Sequence, residues 1–207
     1  MKKIITFTLG LVLISGSFSS CKKGDNDPFL SLRSRKARLE GSWKVTKEEV
    51  TETNTDGTTT VQIQSIFDGS KKITTTTTKI GAITSVDIDT VKYVVTLVID
   101  KKGNYNMTNV NDNHLDVYTE KGTWIFLGKS NLDKLKNKEA ILLTTTQTII
   151  SDGNETNTVD YTNLSGKTIV LDALKNKEMI TIVEENSANS TGLDSSKKLT
   201  KTTYTQN

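Results

Sequence analysis

The sequence predicts an all-β fold: an antiparallel meander closed into a barrel and preceded by one short helix. Three observations predict it. From Gly41 onward apolar residues recur with a period of two, the spacing that lines one face of a strand. Glycine-bearing turns interrupt that alternation. Threonine supplies 34 of the 207 residues against a single proline, Pro28. Branching at Cβ stiffens χ1 and suits a pleated sheet, and a sheet without proline keeps every ladder donor available.

The chain opens on a basic Met1-Lys2-Lys3, then the apolar run 4–14 (IITFTLGLVLI), then Ser15, Gly16, Ser17, Ser19, Ser20 and Cys21. Eleven residues make a helix of roughly 16 Å, far short of a ~30 Å bilayer core. Residues 1–20 therefore read as an export signal rather than a span. The small residues before Cys21 resemble the lipobox of bacterial lipoproteins, with Phe18 where leucine is usual. The resemblance implies that the Cys21 thiol carries palmitate-type acyl chains once the signal is removed. One chain anchors only marginally, so stable attachment needs several. Removal of 1–20 takes Lys2 and Lys3 with it, leaving 25 basic against 24 acidic residues, a side-chain charge of +1. That balance gives no basic surface for nucleic acid. With Cys21 as the one cysteine, no disulfide framework and no cysteine-based metal cluster is available.

Residues 21–30 read as a polar tether and 31–207 as the folded domain. Asp25 and Asp27 in the tether loosely resemble signals that carry some Bacteroidetes lipoproteins to the cell surface. Phe29, Leu32 and Leu39 share one helical face, ringed by Arg33, Arg35, Lys36 and Arg38, which predicts a single helix docking its apolar stripe on the domain.

Strand-type runs follow at 42–52, 58–67, 72–79, 84–100, 104–110, 115–127, 139–150, 156–163, 167–173, 178–184 and 198–205, read together as nine or ten strands. In the fourth run Val91, Tyr93, Val95, Leu97 and Ile99 share a face; Val94 and Val98 make the other face half apolar, which predicts a strand covered on both sides. Lys72 to Ile80 (KITTTTTKI) carries threonine on both faces and reads as an outer strand with solvated hydroxyls. Turns are expected at Asp56-Gly57, Lys102-Gly103-Asn104, Lys121-Gly122 and Asp152-Gly153. The segment 132–141 (LDKLKNKEAI) is echoed at 171–180 (LDALKNKEMI), which predicts two similar hairpins in one sheet. A sheet of this size exposes its edges unless it curls into a barrel or splits into a sandwich.

Leu39-Glu40-Gly41-Ser42-Trp43 opens the first strand; Lys102-Gly103-Asn104-Tyr105 forms a later hairpin, and Gly122-Thr123-Trp124 opens another strand. This order resembles the L-x-G-x-W opening of lipocalins and the lipocalin-like domains of Bacteroidetes lipoproteins. The resemblance implies a closed barrel with Trp43 plugging one end. Burying an indole is worth about 4–6 kcal/mol gross, from roughly 150–250 Å² at ~25 cal/mol/Å². Many lipocalins lay an arginine from the last strand over that tryptophan. Here the arginines are Arg33, Arg35 and Arg38, and the C-terminal strand offers only Lys197, Lys198 or Lys201.

No catalytic constellation is evident. His114 is the sole histidine, set in the polar stretch 109–114 (NVNDNH), and no Gly-x-Ser-x-Gly elbow presents a nucleophile. Asp87 and Asp89 share a strand face that reads as solvated. The Asn-Asp run at 109–113 lacks the spaced carboxylates and final glutamate of a calcium loop, and no glycine-rich phosphate loop occurs. Neither a cofactor nor a metal is expected. Asp89-Thr90-Val91 resembles the O-glycosylation acceptor of Bacteroidetes exported proteins.

The expected function is therefore non-catalytic. A monomer would be held by Cys21 in the envelope of a Gram-negative bacterium, at the outer membrane, with a small apolar or amphipathic ligand in its barrel. Tyr93, Val95, Leu97, Tyr105, Ile125 and Leu142 are the candidate lining residues. The alternative is a β-sandwich interaction module binding glycan or another envelope protein.

Overall fold

The computed structural model describes residues 34–111, 116–129, 138–162, 166–188 and 194–207. The signal at 1–20, Cys21, the tether, Phe29, Leu32, His114 and the first turn of the internal echo lie outside these residues.

Among the described residues one short helix, α1 (Arg35–Leu39), precedes eleven strands. They are β1 (Gly41–Asp56), β2 (Thr59–Phe67), β3 (Lys71–Ile80), β4 (Ile83–Ile99), β5 (Asn104–Asn111) and β6 (Val117–Lys129). Then follow β7 (Glu139–Ser151), β8 (Thr156–Asp160), β9 (Gly166–Leu174), β10 (Glu178–Ala188) and β11 (Asp194–Gln206). Each predicted run is a strand in its own right, so the expected nine or ten become eleven. Every pairing is antiparallel.

Ten strands form a closed circuit, β1-β2-β3-β4-β5-β6-β7-β9-β10-β11, and β8 is an extra strand on the far half of β7. Closure removes the alternative of two stacked sheets. At the helix end the circuit shortens to eight, because Gly41–Lys44 of β1 pairs directly with Thr96–Ile99 of β4. Beyond that level β1 turns to β2 and β4 to β3, and the β2–β3 hairpin enters as a wedge. Its point is the turn Asp68-Gly69-Ser70. The Asp68 carboxylate accepts hydrogen bonds from the Ser70 amide, the Ser70 hydroxyl and the Lys71 amide at 2.8–3.0 Å. Gly69 sits at φ +96°, and a Cβ there would press on the Thr46 carbonyl. Thr46 falls where the β1 register against β11 shifts, so a bulge opens the fork.

The narrow end is filled. Trp43, Leu97, Ile99, Tyr105, Trp124, Ile141, Leu143, Leu171, Leu174 and Met179 form one buried cluster with Leu39 of the helix. Trp43 is 0% exposed and its indole Nε1 donates to the Leu39 carbonyl at 2.8 Å, tying plug to helix. Ser34 caps the helix by accepting from the Ala37 amide, and the Arg38 guanidinium donates to the Leu174 carbonyl at 2.5 Å. Gly41 is required on two counts: its φ is +146°, and a Cβ would overlap the Gln206 amide. Gln206, not a basic residue, stands opposite Trp43, and its Nε2 donates to the Glu40 carbonyl. The cation over an indole is Lys36, 5.6 Å from the Trp124 ring.

Two expectations are corrected. Lys121-Gly122 is not a turn but lies inside β6, where a Cβ would strike the Tyr105 ring and the Thr144 carbonyl. There glycine marks a close approach rather than a bend. β4 is buried on one face only, since Val94 and Val98 stand exposed on the outer wall. The strand buried on both faces is β9, from Ile169 through Leu174, against which the helix packs. Of the echoed hairpins, the one at 171–180 is present as the β9–β10 turn, closed by the Lys175 amide on the Glu178 carbonyl.

Candidate functional site

Ladder register shows which side chains share the barrel interior. Rows of direct partners cross from strand to strand, and parity follows the buried tryptophans. The lowest row runs Ile99, Tyr105, Gly122, Thr145. Above it come Leu97, Met107, Glu120, Thr148 and Val159 on β4 to β8. Higher still lie Val95, Asn109, Tyr118, Ile150 and Asn157. Above the lowest row the interior therefore mixes aliphatic and aromatic side chains with the polar Glu120, Thr148, Asn109 and Asn157.

Among the expected lining residues, Tyr93, Val95, Leu97 and Tyr105 do share the inward face. Leu97 and Tyr105 are fully built into the filled end, while Tyr93 stacks on Phe67 with ring centroids 4.6 Å apart. Ile125 and Leu142 are corrected: they pair with each other one residue out of phase with Trp124 and Leu143, and so face outward. Ile125 is 55% exposed. A one-residue offset reverses a strand face, and the neighbouring tryptophan carried the signal.

All five tyrosines lie on the inward parity, Tyr161 by way of its contact with Thr148. Glu120 is the hub of one wall. Its Oε1 accepts from the Tyr105 hydroxyl at 2.5 Å and from Thr145 Oγ1 at 2.8 Å. Beside it, Thr148 Oγ1 and the Tyr161 hydroxyl lie 3.1 Å apart. Burial pushes the Tyr105 phenol above its ordinary value, and the hydrogen bond to Glu120 adds to this. Burial likewise raises Tyr118, helped by the charge of Glu120. Burial also raises Tyr93, and it pushes Tyr204 up to about 12. These phenols are neutral donors and acceptors throughout the physiological range.

The opposite wall carries charge in pairs. Lys72 meets Glu48 at 3.6 Å, Lys198 meets Glu52 at 3.8 Å, and Lys167 meets Glu185 at 3.5 Å. Asp87 and Asp89 share the inward parity of β4 but are exposed, as expected of a solvated face. Thr90, in the acceptor-like tripeptide, is exposed on the outer side.

The upper interior is open. Ile150 at 49%, Val159 at 48% and Tyr161 at 43% face inward yet remain accessible. The β9–β10 ladder covers only Met179–Ile182. Among the described residues, neither β8 nor the last six residues of β10 has a ladder partner on the side away from β7 and β11 respectively. On the outer wall a separate shallow hollow of about 370 Å³ lies over Gly122, bordered by Val98, Asn104, Asn106, Lys121 and Thr146. Asp100 beside it is held below the usual carboxylate range by hydrogen bonds from Asn104, then Lys102.

No group of three or more histidine, cysteine, aspartate or glutamate side chains among the described residues is placed to hold a metal ion. No protein-family model matches the chain. No curated protein matches it either.

Proposed function

We propose that this chain is a lipid-anchored protein of the Gram-negative outer membrane whose barrel binds a small amphipathic ligand without catalysis. The observation that carries the binding reading is the half-open interior. A packed plug fills the helix end, and above it inward-facing aromatic, aliphatic and polar side chains remain accessible. Small closed barrels hold one ligand where inward side chains leave room. The room here lies above Glu120, which favours an amphipathic ligand over a wholly apolar one. The anchor rests on the sequence alone: the single cysteine stands where an export signal ends.

Two measurements test the reading. Native mass spectrometry of protein extracted from its own envelope should find a stoichiometric small-molecule adduct on the folded barrel; a bare polypeptide overturns ligand binding. Labelling with a radioactive fatty acid should mark the wild type but not Cys21→Ser, and the variant should leave the membrane fraction. An unlabelled wild type overturns the anchor.

A further inference from the structure

The ligand class can be read from one wall of the mouth, on the premise that the barrel is a binder. We propose that the inner wall of β4 to β8 is a saccharide-binding shelf, built from Val95, Asn109, Tyr118, Glu120, Thr148 and Tyr161, that takes a neutral sugar ring.

Register makes these residues neighbours. Val95, Asn109 and Tyr118 are direct partners across β4, β5 and β6; Glu120 and Thr148 are partners across β6 and β7; Thr148 and the Tyr161 hydroxyl touch at 3.1 Å. The shelf thus alternates apolar faces with hydroxyl, amide and carboxylate groups. A pyranose has the matching character, with C–H groups on its faces and hydroxyls at its rim that both donate and accept. Tyrosine offers a ring face and a polar tip in one rigid side chain.

One atom sharpens the choice. Asn109 Oδ1 is buried and, among the described residues, accepts no hydrogen bond. A buried acceptor without a donor is costly, and turning the Asn109 side chain towards the shelf lets a ligand that donates relieve it. An ionised fatty acid has no donor to give. Its carboxylate would face Glu120, while the inward lysines Lys72, Lys167 and Lys198 stand across the barrel in ion pairs. Its chain would also need the space that Trp43, Leu97 and Trp124 occupy. A sugar hydroxyl meets the donor requirement and needs no deep channel.

The test uses the full mature chain and isothermal titration with two kinds of probe: neutral saccharides (N-acetylglucosamine, maltose and cellobiose) and palmitate. The expected result is micromolar or tighter saccharide binding, weakened about tenfold by Tyr118→Phe and at least tenfold by Asn109→Ala. Ile125→Ala on the outer wall should leave it unchanged, and circular dichroism confirms that each variant folds. Saccharide binding indifferent to both shelf variants overturns the assignment to this wall. Palmitate binding without saccharide binding overturns the sugar class and leaves the barrel a binder. Folded protein that takes neither probe overturns the shelf and counts against the binding reading beneath it.

Discussion

Replacing Trp43 by alanine tests the plug directly. The side chain is fully enclosed at the point where the circuit narrows to eight strands, and its indole nitrogen is bonded to Leu39. Gross transfer of an indole from water is worth about 4–6 kcal/mol, an upper figure because unfolded chains already hide part of their surface. Truncations of buried aromatic residues cost about 3–5 kcal/mol, cavity included. Trp43→Ala is expected in that range. For a domain of this size the midpoint should fall by about 6–20 °C, at ~2–4 °C per kcal/mol. Trp43→Phe keeps most of the buried area but strands the Leu39 carbonyl, so about 1–2 kcal/mol is expected. Urea unfolding followed by the fluorescence of Trp124, present in both variants, gives the two numbers. An alanine variant within about 1 kcal/mol of the parent, with an unchanged denaturant slope, refutes the plug.

Further outcomes follow from particular contacts. Gly122→Ala should cost about 1–3 kcal/mol, since the new methyl meets a backbone carbonyl and the Tyr105 ring; a neutral effect in urea unfolding would show that this wall yields. Leu143→Ala should cost about 2–5 kcal/mol and Ile125→Ser under about 0.5 kcal/mol, and equal values would reverse the inward parity. High pH should destabilise the fold. Tyr93, Tyr105, Tyr118 and Tyr204 have raised phenol values, so above pH ~10 the unfolded chain gives up protons that the folded chain still holds. The melting midpoint should therefore be level below that pH and fall towards pH 12, less steeply in Tyr204→Phe. A midpoint that holds level through this window removes the linkage.

Alternation made the strands legible: Val91 to Ile99 alone specifies one long face, and each run matches a strand to within a few residues. Local chemistry identified Gly57, Gly103 and Gly153, all at positive φ in turns. It passed over Asp68-Gly69 and Gly81, where the neighbouring threonine tract masks the punctuation, and it mistook Gly122, whose reason lies in a ring from another strand. Period two assigns residues to two sets but does not orient them. Trp124 orients β6, and that places Ile125 outside. The polar shelf was the least legible part. Asn109, Tyr118 and Glu120 look like an outer wall by composition, and it takes the parity of Trp124, carried across the β5–β6 pairing, to turn them inward.

The hairpin wedged at the fork has a consequence for how such proteins diverge. Because Gly41–Lys44 already meets Thr96–Ile99, the staves that seal the base do not depend on how far the insert reaches. The rim can lengthen, shorten or be exchanged for a foreign ribbon while the sealed base stays as it is. Variation in rim length and retention of the sealed base thereby fall to different stretches of the same polypeptide.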